Sequence, residues 1–106
     1  MIARLWSART TFAQSQTYLA HFSEVVLPAL HGFPSFAGAT VFRRDLQGNV
    51  EVLVTTFWES FQAIDAFAGP DREAAVVAPE AAALLIDFDR RVRHYQVAQS
   101  HGVTFR

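Results

Sequence analysis

Residues 50–58 have the sequence VEVLVTTFW, and this stretch decides the fold. It is rich in β-branched and aromatic residues, which favour strands. Because neighbouring side chains of a strand point to opposite faces, the stretch predicts a strand with two distinct sides. One side carries Val52, Val54, Thr56 and Trp58, and the other carries Leu53, Thr55 and Phe57.

The residues before this strand predict two further strands and a helix. Residues 46–49 (LQGN) form a turn, so the preceding residues 36–45 make a hairpin with it. Residues 2–8 are short and apolar, which indicates a first strand. Between them, Thr10 and Thr11 can cap a helix of about five turns that ends before Gly32.

The residues after residue 58 predict a second helical region and a last strand. Ser60 is a good cap for a helix that ends at Gly69-Pro70. We predict a second helical piece over residues 71–85 and a strand over residues 88–98. The order β-α-β-β-α-β is the α+β, ferredoxin-like arrangement, with a four-stranded antiparallel sheet and helices on one face.

The composition indicates a dimer. The chain has 106 residues, of which 51% are hydrophobic, and ten are Phe. Small domains bury a limited share of their surface, so part of this apolar surface needs a partner or a ligand. We predict one domain over residues 1–98, a tail over residues 99–106, and a homodimer in which the Leu53–Phe57 face meets a second copy.

The charge pattern argues against several classes of partner. The net charge is −1, there is no Lys, and nine Arg are spread along the chain, so no basic patch predicts nucleic-acid binding. There is no Cys, which excludes disulfides and thiolate metal sites. No apolar stretch has the length of a membrane span, and the first residues do not resemble a signal peptide. We therefore expect a cytoplasmic protein without a membrane partner.

Several motifs resemble those of the antibiotic biosynthesis monooxygenase domain family. They are IARLW at residues 2–6, VLPAL at 26–30, GFPSFAGA at 32–39, TTFWES at 55–60, AIDAFAG at 63–69 and HYQV at 94–97. The resemblance covers residues 1–98. It implies a dimeric α/β barrel with a pocket between the sheet and the helices of each subunit. It also implies oxygenase chemistry on polycyclic aromatic phenols or, in another branch, the opening of haem.

The haem-opening branch uses an Asn on the first strand, a Trp at the end of the third strand and a His on the second helix. By resemblance, Trp58 matches the Trp, Trp6 or Ser7 stands at the Asn position, and Val76 stands at the His position. Without that His the expected axial ligand is missing. We therefore predict that the chain uses no cofactor and that haem is disfavoured.

Two aromatic residues and one cation are the first candidates for the site. Trp58 and Trp6 lie on strand faces that can border the pocket, and we predict a catalytic role for Trp58 and substrate binding for Trp6. The alternative for both is core packing. Arg4 shares a face with Trp6 and could bind a phenolate or carboxylate, or else form a salt bridge at the sheet edge.

The last strand and the first helix supply the other candidates. His94 and Tyr95 point to opposite faces, and we predict His94 as a catalytic base because its pKa lies near neutral pH. Tyr18 and Phe22 are four residues apart and could line the pocket, with core packing as the alternative. No His pair has metal-ligand spacing, so no metal site is predicted.

Two functions remain open. The first is a cofactor-independent monooxygenase-like enzyme that acts on a small aromatic molecule of the phenol or quinol type. The second is a non-catalytic dimeric barrel that binds a small molecule or responds to stress, since a fold does not fix a function.

Overall fold

The computed structural model describes residues 1–105 and has five strands and four short helices. The strands are β1 Ile2–Thr10, β2 Phe36–Leu46, β3 Asn49–Trp58, β4 Leu85–Phe88 and β5 Arg93–Gln96. The helices are α1 Phe12–His21, α2 Leu27–Leu30, α3 Phe61–Ala68 and α4 Pro79–Ala82, and a π-helical turn, Phe22–Val26, joins α1 to α2.

The strands form one antiparallel sheet in the order β2-β3-β1-β4, and β5 also pairs with β1. Because β3 occupies one edge of β1 along its whole length, β4 and β5 share the other edge. β4 pairs with residues 8–10 and β5 with residues 2–5. The α+β class and the antiparallel sheet are thus confirmed.

The first helical region is continuous from Phe12 to Leu30 but widens at its centre. Thr11 caps it, since its hydroxyl accepts a hydrogen bond from the Gln14 N–H at 3.0 Å. In the widened turn the Leu27 N–H donates to the carbonyl of Phe22, five residues back. Pro28 explains the widening, because a proline ring clashes with the carbonyl four residues earlier in a regular α-helix.

The predicted helix over residues 71–85 is wrong for most of its length, since α4 alone is helical there. Ala78 is extended (φ −67°, ψ 148°), as expected for a residue that precedes a proline. Residues 73–75 pair instead with residues 90–92. The Val92 N–H donates to the Glu73 carbonyl at 2.8 Å, and the Ala75 N–H donates to the Arg90 carbonyl at 2.9 Å.

This pairing also corrects the predicted last strand. We expected one strand over residues 88–98, but β4 ends at Phe88 and β5 begins at Arg93. The Asp89 N–H still donates to the Ser7 carbonyl of β1, and residues 90–92 leave β1 because their backbone groups pair with the 73–75 segment. The last strand is therefore divided into two short strands at one sheet edge.

The core lies between the helices and the inner face of the sheet, which we define as the face that carries Arg4, Trp6, Val54 and Trp58. Two groups of buried side chains fill it. One surrounds Trp58 and includes Ile2, Phe22, Leu30, Val54 and Ile64. The other surrounds Val50 and Val52 and includes Ala8, Tyr18 and Ala81.

Within residues 1–105, no helix covers the opposite, outer face of the sheet. Thr55 is buried there, Leu53 and Phe57 are half-buried, and Tyr95 and Phe42 are exposed. The Phe105 ring of the tail lies against Phe42, with ring centroids 6.2 Å apart. None of the helices in residues 1–105 is long and apolar enough to cross a membrane.

Candidate functional site

A cavity lies between the inner face of the sheet and the helices. It is partly open to solvent, and its volume is about 600 Å³ when the open part is included. Most of its lining is apolar, and the polar groups come from Arg4, Trp6, Tyr18 and Thr56. The other lining residues are Phe22, Val26, Leu30, Val54, Phe67, Val76, Val77, Ala78, Ala81 and Val92.

All four residues predicted to bind substrate lie in this lining. Arg4 and Trp6 come from β1, and Tyr18 and Phe22 come from the long helical region above the sheet. The Trp6 and Tyr18 rings are neighbours, with centroids 6.4 Å apart. The structure therefore brings these four side chains together, while their role toward a ligand stays a prediction.

Trp58, predicted to be catalytic, is not part of the lining. Its side chain is 0% exposed and stacks on Phe67, with ring centroids 5.2 Å apart. Its indole N–H donates to the Thr56 hydroxyl at 2.9 Å. Since Thr56 and Phe67 both line the cavity, Trp58 lies one layer behind the wall and contacts the cavity through these two side chains.

His94, the other predicted catalytic residue, also lies behind the wall. Register places it beside Arg4 on the neighbouring strand, and its Nε2 is 2.9 Å from Arg4 Nη1. Burial, followed by the charge of Arg4, lowers the pKa of His94. Its neighbour Tyr95 points the other way, to the outer face of the sheet, where it is 53% exposed.

Arg4 is the one cation in the lining, and it is buried. Its Nη1 donates to the carbonyl of Arg72 at 2.5 Å, and its Nη2 donates to the carbonyl of Ala74 at 2.8 Å. Burial lowers the pKa of Arg4 to about 10, so the guanidinium stays charged at neutral pH. The salt bridge that we considered for Arg4 is not present within residues 1–105.

The two other polar rings of the cavity are also held in place. The Trp6 indole N–H donates to the backbone carbonyl of Asp89 at 2.9 Å, so its ring is fixed against the divided last strand. Burial raises the pKa of Tyr18 to about 12, so its phenol keeps its proton at neutral pH. Tyr18 can therefore donate a hydrogen bond to a ligand in the cavity.

The sequence-based analysis missed one wall of the cavity. Residues 76–78 line it as extended chain, although we predicted a helix there. The signal for an extended wall was the Val76-Val77-Ala78-Pro79 stretch, because β-branched residues and a following proline both disfavour helix. Thr56 was placed on the correct face but was not proposed as part of the site.

No protein-family model and no curated protein matches the sequence. Solved structures do match. An antibiotic biosynthesis monooxygenase, so named, from Bacillus cereus has a TM-score of 0.67 at 20% identity, with 99% of this chain and 98% of that chain covered. The ActVA-Orf6 monooxygenase of Streptomyces coelicolor, in complex with nanaomycin D, has a TM-score of 0.63 at 17% identity, with 98% and 92% covered.

A third similar structure corrects the prediction about cofactors. The haem degrader MhuD from Mycobacterium tuberculosis, with two haems bound in its active site, has a TM-score of 0.62 at 23% identity. The alignment covers 96% of this chain and all of that chain. We predicted no cofactor because Val76 replaces the expected His. That prediction is wrong, since this fold holds haem.

The three structures share one architecture with this chain over almost its whole length. Each is less than 25% identical to this chain, so the likeness concerns the fold. The antiparallel sheet and the helices packed on it agree with this likeness. The chain has the fold of the antibiotic biosynthesis monooxygenase domain.

Proposed function

We propose that the chain is a monooxygenase-like protein that acts on a small aromatic molecule of the phenol or quinol type in the cavity. The observation that carries this proposal is an apolar, aromatic-walled cavity with one buried cation, Arg4, in its lining. Such a site suits a flat apolar ring that carries one acidic oxygen. The ActVA-Orf6 monooxygenase, which shares the fold, supports the reaction class.

The lining residues have distinct roles in this proposal. Arg4 stabilises the phenolate, because a nearby positive charge lowers the pKa of a phenol. Tyr18 donates a hydrogen bond, and Trp6 and Phe22 pack on the ring of the substrate. Excluding water from the cavity strengthens the interaction between Arg4 and the oxyanion.

The proposed reaction balances with one molecule of O₂. A methylene carbon next to the phenol ring becomes a carbonyl, so two C–H bonds break and one C=O bond forms. One oxygen atom enters the carbonyl, and the other leaves as water with the two hydrogens. The substrate gives up all four electrons, and an ionised phenol makes that loss easier.

The two predicted catalytic residues have indirect roles in this arrangement. Trp58 holds the hydroxyl of Thr56, and His94 contacts the guanidinium of Arg4. Neither is a lining residue, so neither can contact a substrate in the cavity. We propose that both are positioning residues.

Haem is a second ligand that the donor set of the cavity fits. Tyr18 is the lining residue of a type that ligates haem iron, and binding to the iron would have to displace the proton that burial keeps on its phenol. Arg4 can pair with a propionate carboxylate. Bound haem would supply oxygen activation, while Tyr18 and Arg4 would hold and orient it.

A second candidate function is binding without turnover. The observation that favours it is that His94, the residue predicted as a base, lies outside the lining. A protonated Tyr18 and a charged Arg4 can hold an oxyanion in the cavity, and such binding needs no group that removes further protons. Oxygen consumption separates this candidate from the first.

We also propose that the outer face of the sheet pairs with a second copy of the chain. Leu53 and Phe57 remain half-buried, and Phe42 and Tyr95 are exposed on that side. Covering such a surface with the same surface of another subunit removes apolar area from water. Light scattering at micromolar concentration should show a dimer, and a monomer would contradict this proposal.

The test of function is oxygen uptake with a tricyclic phenol that carries a methylene group next to its phenol ring, combined with calorimetric titration of the same compound. Phe22→Leu changes the cavity wall, where Phe22 is 7% exposed. Phe12→Leu is the matched control, because Phe12 lies on the same helical region but is 49% exposed. We expect saturable uptake whose half-saturating concentration rises about tenfold in Phe22→Leu, the effect of losing ~1.4 kcal/mol of binding, and little change in Phe12→Leu.

The possible results separate the candidates. Binding that depends on Phe22 without oxygen uptake would replace the first candidate with the second. Saturable binding of haemin that is lost in Tyr18→Phe would assign haem to the cavity. Equal effects of the two Phe variants, or no binding of any aromatic compound, would contradict a ligand site in this cavity.

A further inference from the structure

The guanidinium of Arg4 is a buried charge whose neutralising partner is missing. Three acceptors surround it: the carbonyls of Arg72 and Ala74, and Nε2 of His94. All three are neutral groups, and no carboxylate within residues 1–105 forms an ion pair with it. Because a buried, uncompensated charge is costly, this position favours a negatively charged ligand.

Counting donors shows what remains for that ligand. An arginine has five N–H donors. Two hydrogen bonds use Nη1, toward Arg72 and His94, and one uses Nη2, toward Ala74. The remaining donors are on Nε and Nη2, the two nitrogens that can donate in parallel to the two oxygens of a carboxylate.

The contact between Arg4 and His94 fixes the state of the imidazole. A guanidinium can only donate, so His94 Nε2 must accept and therefore carries no proton. The proton lies on Nδ1, and the ring is neutral. Burial and the charge of Arg4 both favour this neutral form. Glu73 and Asp65 favour the charged form, and Arg72 opposes it, but these influences are smaller than that of burial.

The surroundings of His94 keep this acceptor in place. β5 pairs with β1 so that His94 lies directly opposite Arg4. The ring of Phe61 meets the imidazole edge-on, with centroids 5.7 Å apart. The guanidinium also lies over the ring of Phe67, 5.5 Å from its centroid. The side chain of Arg4 is thus held from several directions.

We infer that the cavity selects an oxyanion carried on an aromatic ring, which accepts hydrogen bonds from Nε and Nη2 of Arg4, and that His94 is the positioning residue that holds Arg4 for it. This inference rests on the proposed function, because it concerns the same cavity. It adds the preference for an anion with two oxygens and the role of His94. The parallel donors favour a carboxylate over an oxyanion with one oxygen.

The simpler explanation is that Arg4 only fastens the 72–74 segment to the sheet through its carbonyl contacts. That role predicts no preference for charge in the cavity. The two explanations therefore differ in one measurable quantity, the ratio of affinities for an anionic ligand and its neutral isostere. A change in overall stability does not move this ratio.

The experiment is isothermal titration calorimetry with 2-naphthoate, its neutral amide 2-naphthamide, and 2-naphthol at neutral pH. We expect naphthoate to bind the unmodified chain at least about tenfold more tightly than naphthamide, because its two charged oxygens can accept parallel hydrogen bonds from the guanidinium and a neutral amide offers one uncharged oxygen. His94→Leu should lower the ratio of the naphthoate affinity to the naphthamide affinity to a value between about one and three, with the naphthamide affinity unchanged. His94→Gln, whose amide oxygen can accept from Arg4, should retain most of the ratio. His101→Leu in the exposed tail is the matched control.

A second measurement on the unmodified chain does not depend on a variant that folds. The ¹⁵N chemical shifts of His94 should show a proton on Nδ1 and none on Nε2. A proton on Nε2, or equal affinities for naphthoate and naphthamide, would overturn the inference. If naphthoate and naphthamide bind equally and Phe22→Leu still weakens the binding of both, the cavity binds aromatic compounds but has no preference for an anion. If none of the three compounds binds, the proposed function falls as well.

Discussion

Replacing Trp58 with Phe separates a structural role of this residue from its predicted role in the site. Trp58 is 0% exposed, and its ring contacts those of Phe33, Phe36 and Phe67. Its indole N–H is bonded to the Thr56 hydroxyl. Phe keeps part of the aromatic packing but removes the larger ring and the N–H donor.

The expected cost follows from these two losses. Replacing an indole with a phenyl ring empties roughly 40 Å³, and a residual cavity costs about 24 cal/mol per Å³, so packing contributes about 1 kcal/mol. The lost hydrogen bond at Thr56 contributes about 1 kcal/mol more. We therefore expect Trp58→Phe to lower the free energy of unfolding by about 2 kcal/mol, and the melting temperature by roughly 10 °C.

The assay is urea unfolding followed by far-UV circular dichroism at one fixed protein concentration, because a dimer would make stability depend on concentration. Thr56→Val and the double variant complete a double-mutant cycle with Trp58→Phe. We expect a coupling energy of about 1 kcal/mol between the two positions. In the same samples, the affinity for a cavity ligand reports whether moving Thr56 affects the site.

A loss of stability below about 0.5 kcal/mol in Trp58→Phe would refute the packing argument. A coupling energy near zero would refute the hydrogen bond between the indole and Thr56. A variant that keeps its stability but loses ligand binding would show that Trp58 itself reaches the ligand, contrary to its place behind the wall.

Three further predictions concern the turn, the buried phenol and an exposed ion pair. Gly48→Ala should cost about 1 kcal/mol of unfolding free energy in urea, since Gly48 has φ +83° and no atom lies within 4 Å of an added Cβ to add a clash. Burial raises the pKa of Tyr18 from 10.0 to about 12. The protonated phenol therefore makes its full contribution to the free energy of unfolding below pH 10, and this contribution is lost as the pH rises toward 12. Urea midpoints measured across this range should decline less in Tyr18→Phe, and equal declines would contradict the assignment. Arg72 lowers the pKa of Asp65, so this pair stabilises the fold above the ordinary carboxyl pKa and loses its effect as the pH falls through the lowered value. The decline of the melting temperature between about pH 5 and pH 2 should be shallower in Asp65→Asn, and an unchanged slope would show that the pair contributes nothing.

Local sequence patterns predicted the elements whose determinants lie within a few residues of each other. The hairpin of β2 and β3 follows from alternation on both sides of the turn that contains Gly48. The caps at Thr11 and Ser60 each accept the backbone N–H that lies three residues later. These features formed as expected because hydrogen bonds and side-chain alternation within short segments decide them.

The errors lie where distant segments compete for the same backbone groups. Residues 71–78 could have formed a helix by composition, but their backbone pairs with residues 90–92 and with the guanidinium of Arg4. The same pairing divides the last strand. A sequence pattern does not reveal such a competition, because the partner is about 16 or more residues away along the chain.

The sequence by itself determined which face of each strand a side chain occupies, because the alternation of a strand depends on residue parity alone. It thereby grouped Arg4 with Trp6 on one strand and Thr56 with Trp58 on another, and the register between the strands puts both pairs on one face. Only the tertiary structure decided that the first three line the cavity while Trp58 lies behind it, and that His94 touches Arg4 and not the cavity. Depth behind a wall depends on how helices and neighbouring strands pack over that face, and parity carries no information about this packing.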